Sequence, residues 1–217
     1  MADARFDVLV FDWDGTLVDS TALIANAILR AAADIGVAVP DPARASHVIG
    51  LGMAHALALV VPDLPRERRN DFNARFHVHY RNGEDDICLF EGMRALLESL
   101  QVRGERLAIA TGKSSTGLMR SLHSAGLEGI FEATRCADQT HPKPHPAMLL
   151  ELAQEMETEP ARMLMIGDTT HDLQMAQAAG ASAVGVSYGA HPHEELARAG
   201  PLAIFNDVAG LRSWLLR

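Results

Sequence analysis

Lysine occurs only twice in the 217 residues, at Lys113 and Lys143, and cysteine only twice, at Cys88 and Cys136. The cysteines form no close-spaced motif, so neither a zinc site nor a disulfide framework is indicated, and a reducing cytoplasm is the expected location. Positive charge is short as well: 19 Lys and Arg stand against 28 Asp and Glu, a formal net charge of −9. That balance disfavours a nucleic-acid partner, and the short cluster Arg66, Arg68 and Arg69 around Glu67 reads as a charged helix face. No apolar stretch approaches membrane-spanning length, so no membrane partner is expected. Residues 1–7 carry charge and no targeting pattern, and neither an internal repeat nor a low-complexity tract is visible.

What is present suits one moderate domain, or one core domain carrying an inserted module: 48% of residues are apolar and 22% charged. Residues 6–11 read as a buried strand ending in the acidic turn Asp12-Trp13-Asp14-Gly15-Thr16, followed by a helix over 21–35. Residues 37–80 show helical patterns broken by Pro40, Pro42, Gly50, Gly52, Pro62 and Pro65, with no strand, and 81–86 read as a polar return linker. Strand and helix then alternate: strands are expected at 106–110, 130–133, 163–166, 183–186 and 202–205, helices at 91–102, 114–125, 146–156, 170–179, 193–199 and 208–216. Such alternation implies an α/β doubly wound parallel sheet, in which ligands bind beyond the carboxyl ends of the strands.

The residues after the strands therefore carry the chemistry. They are Asp12 and Asp14; Thr111, Gly112 and Lys113; Lys143, in a proline-rich loop; and Asp168 and Asp172. Clustered carboxylates are costly unless a cation lies among them, and oxygen-only ligands suit magnesium. One carboxylate could attack phosphorus, a second could protonate the leaving oxygen, and Thr111, backbone amides and Lys143 could hold phosphoryl oxygens. Each piece alone has a plainer reading: a turn at Asp12–Gly15, a helix start at Thr111, a surface Lys143, and a cap with a first-turn acid at Asp168 and Asp172. Their joint placement at one sheet edge is what favours a site.

These stretches resemble the four motifs of the haloacid dehalogenase superfamily. They are Phe11-Asp12-Trp13-Asp14-Gly15-Thr16-Leu17-Val18-Asp19-Ser20, then Ala110-Thr111-Gly112-Lys113, Lys143-Pro144-His145-Pro146 and Gly167-Asp168-Thr169-Thr170-His171-Asp172. The likeness covers essentially the whole chain and is nearest to phosphoglycolate-phosphatase-like members with a C1-type helical cap. It implies a Rossmann-like core over 1–18 and 84–217 and a cap over 19–83. It further implies a magnesium-dependent hydrolase of small phosphomonoesters working through an aspartyl-phosphate. Asp12 would be nucleophile and metal ligand, and Asp14 acid/base and ligand through its carbonyl. Thr111 and the Gly112 amide would bind phosphate, Lys143 would pair with nucleophile and phosphate, Asp168 would bind metal, and Asp172 would be a supporting acid. Trp13 stands where many members have Leu, and is read as packing.

Asp14 argues against carbon–halogen chemistry, and the absence of lysine between Gly15 and Glu91 argues against Schiff-base phosphonate cleavage. Inorganic pyrophosphatase, sugar-phosphate mutase and a catalytically silent binding protein remain as alternatives. Specificity is expected from the cap, with His47, Met53 and His55 as candidates beside Gly50 and Gly52. That loop either faces the site and accepts an anionic leaving group or only joins two helices. Phe76, His77, His79 and Tyr80 read as a packing face near the hinge, and His141 and His145 as loop packing or substrate contacts.

Overall fold

Four consecutive apolar residues form β1 (Val8–Phe11), buried along its whole length. The computed structural model describes residues 6–217, so the reading of residues 1–5 lies outside it. Leu9 and Phe11 join one apolar cluster, Val8 and Val10 another, the two-fold alternation of a strand covered on both faces. Beside it run β2 (Arg106–Thr111), β3 (Ala133–Cys136), β4 (Met163–Gly167), β5 (Ser182–Val186) and the short β6 (Ile204–Phe205). All pairs are parallel, in the order β3-β2-β1-β4-β5-β6. The chain winds outward from β1 on one side and returns to its other side at β4, so the order reverses beside β1, where such sheets open a ligand crevice.

Helices cover both faces. One cluster packs α5 (Met93–Val102), α6 (Ser115–Ala125) and α10 (Val208–Leu215) on Leu9, Phe11, Leu107, Ile109, Leu164 and Ile166. The other packs α7 (Ala147–Glu155), α8 (Thr170–Ala179) and α9 (His193–Arg198) on Val8, Val10, Ala108, Ala110, Met163 and Met165. Trp13 lies fully buried in the first cluster, in agreement with a packing role. No helix among the described residues is long and apolar enough to cross a membrane.

The segment between β1 and α5 is helical: α1 (Thr21–Asp34), α2 (Pro42–His47), α3 (Met53–Val60) and α4 (Arg69–Glu84). It has its own apolar cluster, from Ala27, Ile28, Val48, Leu57, Phe72 and Phe76 among others. The expected linker at 81–86 is corrected here, because α4 continues through Glu84 with Gly83 inside it. A Cβ at Gly83 would stand 2.7 Å from Leu23 Cδ1, so the glycine admits the close approach of α1 instead of ending the helix. The third strand lies three residues later than the expected 130–133. Ile130 and Phe131 pack on the first cluster as loop residues, while the edge strand itself carries Arg135, paired with Glu151 and Glu155.

Candidate active site

The register sets Phe11 opposite both Ile109 and Ile166, so the residues that follow these strands share one edge. Asp12, directly after β1, donates its N–H to the Ile166 carbonyl at 2.9 Å. Its Oδ1 accepts the Trp13 N–H at 2.6 Å and lies 2.8 Å from Lys143 Nζ. Lys143 is wholly buried, and its Nζ also lies 2.6 Å from Asp172 Oδ1. The other Asp172 oxygen accepts the Thr169 N–H at 3.1 Å and its hydroxyl at 2.7 Å. Asp172 thus serves both as the capping acid of α8 and as a partner of Lys143. Asp168, after β4, accepts the Thr16 hydroxyl at 2.8 Å on one oxygen and the Ala190 N–H at 2.7 Å on the other. Gly15 is required beside it: its φ is +78°, and a Cβ there would fall 2.1 Å from Asp168 Oδ2.

Three carboxylates are buried here beside one ammonium, which pairs with only two of them, Asp12 and Asp172. Burial pushes Asp12 well above the usual carboxylate range; Lys143 pulls it down, while Asp172 and Asp168 add to the rise. Burial, and then Asp172, push Asp168 up to about 7 against the Ala190 and Thr16 hydrogen bonds. A cation among these groups reverses that balance in favour of the ionised forms. Oxygens of Asp12, Asp168 and Asp172 lie within 4.8 Å of one another. Asp12 Oδ2 is buried, and among the described residues no donor reaches it. An all-oxygen set of three clustered carboxylates fits magnesium.

Asp14 faces another way. Its Oδ1 accepts the Ser20 hydroxyl at 2.7 Å and lies 3.2 Å from Lys113 Nζ. The same ammonium donates to the Tyr80 hydroxyl at 2.8 Å and sits 4.8 Å from the centroid of that ring. Burial alone would disfavour the Lys113 charge, but Asp14 and then Tyr80 outweigh it and hold the ammonium above its ordinary pKa. Burial pushes the Tyr80 phenol up to about 12. Asp14, Gly112 and Lys113 line one side of a cavity of about 200 Å³, whose other side is the helical segment. Thr111 is buried, and its hydroxyl accepts the Lys113 N–H at 3.2 Å.

The Gly50 loop lies directly over this edge. A Cβ on Gly112 would meet the Gly50 carbonyl oxygen at 2.5 Å, and one on Gly50 (φ +89°) would stand 3.7 Å from Asp12 Oδ2. Of the three cap residues singled out by sequence, Met53 lines the cavity and His55 is exposed on α3, away from it. The His47 carbonyl accepts His171 Nε2 and His191 Nε2, each at 3.0 Å, and its ring stacks on His191 at 4.3 Å. The three imidazoles lie close enough for a metal, yet both buried ones already spend Nε2 on that carbonyl. Burial depresses His171 to about 4. His141 and His145 contact each other, with ring centroids 4.5 Å apart.

Sequence reasoning placed Lys113 among the strand-end residues but gave it no role, and it did not single out the Ala190 amide; Phe76 and Tyr80 pack in the helical segment's apolar cluster, as expected, and also line the cavity. For Lys113 a signal existed: it is one of two lysines and stands two residues after β2.

A family model for haloacid dehalogenase-like hydrolases matches residues 9–186. A protein named "probable phosphatase IndB" from Dickeya dadantii is 35% identical over 97% of this chain and 95% of its own length. A phosphoglycolate phosphatase from Rhodospirillum rubrum is 32% identical over 95% of this chain and 90% of its own. Among solved structures, a hydrolase from Pseudomonas syringae superposes with a TM-score of 0.89 at 25% identity, over 97% of both chains.

Proposed function

Because the chain belongs to the haloacid dehalogenase-like hydrolase family and is a phosphatase by its relatives, we propose that it hydrolyses small phosphomonoesters through an aspartyl-phosphate on Asp12. The observation that carries this reading is the buried, unpaired Oδ2 of Asp12, whose other oxygen is held by Lys143 and which lies close to the Asp168 carboxylate.

The attacking oxygen is Asp12 Oδ2, whose lone pair forms the new bond to phosphorus as the bond to the leaving oxygen breaks. Lys143 and the Trp13 N–H fix the carboxylate through Oδ1 and leave Oδ2 directed into the site. Thr111 and the Gly112 amide bind phosphoryl oxygens, and Lys143 offsets the charge that builds on them. Asp14, on the cavity side, gives its proton to the departing alkoxide. It then takes a proton from the water that attacks phosphorus, which releases Asp12 and inorganic phosphate. Lys113 and Ser20 hold Asp14 in that position. Asp12, Asp168 and the Asp14 carbonyl would hold magnesium, with Asp172 supporting. When bound, that ion supplies Lewis-acid polarisation of the phosphoryl group and neutralises the carboxylates.

The helical segment, residues 19–83, acts in this reading as a cap. The Gly50 loop, the His47 carbonyl and Tyr80 seal the site in the arrangement seen, leaving Asp12 only 1% exposed. Entry of substrate and of the second water therefore requires the cap to open, with the 17–20 and 85–88 connections as hinges. The test is a magnesium-supplemented panel of phosphate esters run with pyrophosphate and a no-metal control. Metal-stimulated ester hydrolysis is expected; exclusive cleavage of pyrophosphate, or no turnover at all, contradicts the reading.

A further inference from the structure

The cavity beyond Asp14 has a chemistry of its own. If phosphorus sits at Asp12, the leaving group extends past Asp14 into this space. Its cap-side wall is made by Ile24, Ile28, Val48, Leu51, Met53 and Phe76. Four charged residues line it, and they form two pairs. Lys113 lies 3.2 Å from Asp14, and Arg120 lies 3.4 Å from Glu84. Lys113 is further held by the Tyr80 hydroxyl. Arg120 thus has its own carboxylate, and Lys113 is divided between Asp14, which it positions, and the Tyr80 hydroxyl.

A leaving group carrying its own carboxylate would enter this space as an extra negative charge. It would have to lose water among aliphatic side chains, or take Lys113 from Asp14 and so disturb the acid. An uncharged chain meets neither penalty and gains by burying its methylenes against Ile24, Ile28 and Met53. We infer that the leaving group is an uncharged apolar alcohol. The substrate class is then the phosphomonoester of an alkyl or arylalkyl alcohol, in place of phosphoglycolate or another acid-bearing ester. This inference rests on the phosphatase reading above and narrows it. Of the two readings of the Gly50–Gly52 loop, it disfavours the one in which the loop accepts an anionic leaving group.

Two measurements on the full-length protein with magnesium test it. In the first, kcat/KM is determined for n-propyl, n-butyl, n-pentyl and n-hexyl phosphate and for 2-phosphoglycolate. A rise of about fourfold per methylene, until the cavity is filled, is expected, with phosphoglycolate about tenfold or more below propyl phosphate. The second uses ligands that cannot be hydrolysed, the matching alkylphosphonates and phosphonoacetate, with affinities read by calorimetry. The same order is expected. Met53→Lys, which places a cation in the wall, should move the ratio of phosphoglycolate to hexyl phosphate at least about tenfold towards the acid.

Phosphoglycolate outrunning propyl phosphate, or rates independent of chain length, overturns the inference while leaving the phosphatase reading intact. Phosphonoacetate binding as tightly as a neutral phosphonate of its size overturns it whatever the activity. Alkylphosphonates binding in order of length with no ester hydrolysed would sink the phosphatase reading and support the cavity assignment.

Discussion

The two walls of this site are built on opposite principles. The floor, at the ends of β1 and β4, is dense in charge: Asp12, Asp168, Asp172 and Lys143 are each 0–1% exposed, and their positions are fixed by strand register and a helix cap. The roof, between α1, α2, α3 and α4, is mostly apolar, and its few charges are paired at its edges. A buried charge tolerates little displacement, because losing one partner leaves the other unpaired in low dielectric. An apolar wall tolerates exchange of one side chain for another of similar size. In the proposed reading, reaction chemistry belongs to the floor and choice of substrate to the roof. Substitutions in the floor should depress all substrates together, and substitutions in the roof should reorder them.

The largest effect is expected at Asp12, the proposed nucleophile. Asp12→Asn should lower kcat by about four orders of magnitude or more, with circular dichroism unchanged, since the amide is isosteric. Near-normal turnover in that variant would break the division between floor and roof.

Next comes Lys143→Met, which removes the one ammonium shared by Asp12 and Asp172. A stability loss of about 3–5 kcal/mol is expected from stranding buried carboxylates, read by urea denaturation without magnesium. Retained stability would mean that those carboxylates are not held in the ionised state.

Asp14 joins the two walls. Asp14→Asn should slow turnover by about two to four orders of magnitude, less for p-nitrophenyl phosphate, whose leaving group needs no proton. Lys113→Met, which removes the group positioning Asp14, should cost about tenfold to a hundredfold. A KM effect with unchanged kcat in Lys113→Met would mean that Lys113 acts on substrate binding instead of positioning Asp14.

The smallest effect concerns the imidazoles beneath the cap. His171 is depressed from its ordinary value of 6.5 to about 4, by burial first, so the folded protein holds it neutral. Between pH 6.5 and 4 the unfolded chain binds a proton that the folded chain does not, and stability falls as pH falls through that window. In the wild type this should contribute about 1–2 kcal/mol of loss between pH 7 and pH 5, diminished in His171→Asn. An identical pH slope in the two proteins would remove His171 from the account.

Much of the floor is legible in the amino-acid sequence. Asp12, Asp168 and Lys143 follow strands or loops, and Thr111 ends β2; the apolar runs and glycine stops of these stretches are local signals, and parallel winding gathers strand ends at one edge. The roof is not legible in the same way. Phe76 and Tyr80 stand four apart on α4, a spacing equally suited to core packing and to cavity lining, and nothing local separates the two. Gly83 reads as a breaker unless Leu23, sixty residues earlier, is known to lie against it. The apolar pair Ile130 and Phe131 mimics a strand because burial, not extension, is what it encodes. The pairing of Lys113 with both Asp14 and Tyr80 joins two modules, and no local pattern reports such a contact.

The most direct test of the covalent role of Asp12 is to quench the enzyme in acid during turnover of a phosphate ester with magnesium, digest it, and locate the added phosphoryl group by mass spectrometry. The expected result is one phosphoryl group on the Asp12 carboxylate, absent without magnesium and absent in Asp12→Asn. Turnover with the group on another residue, or continued phosphorylation in Asp12→Asn, would contradict the account at its centre.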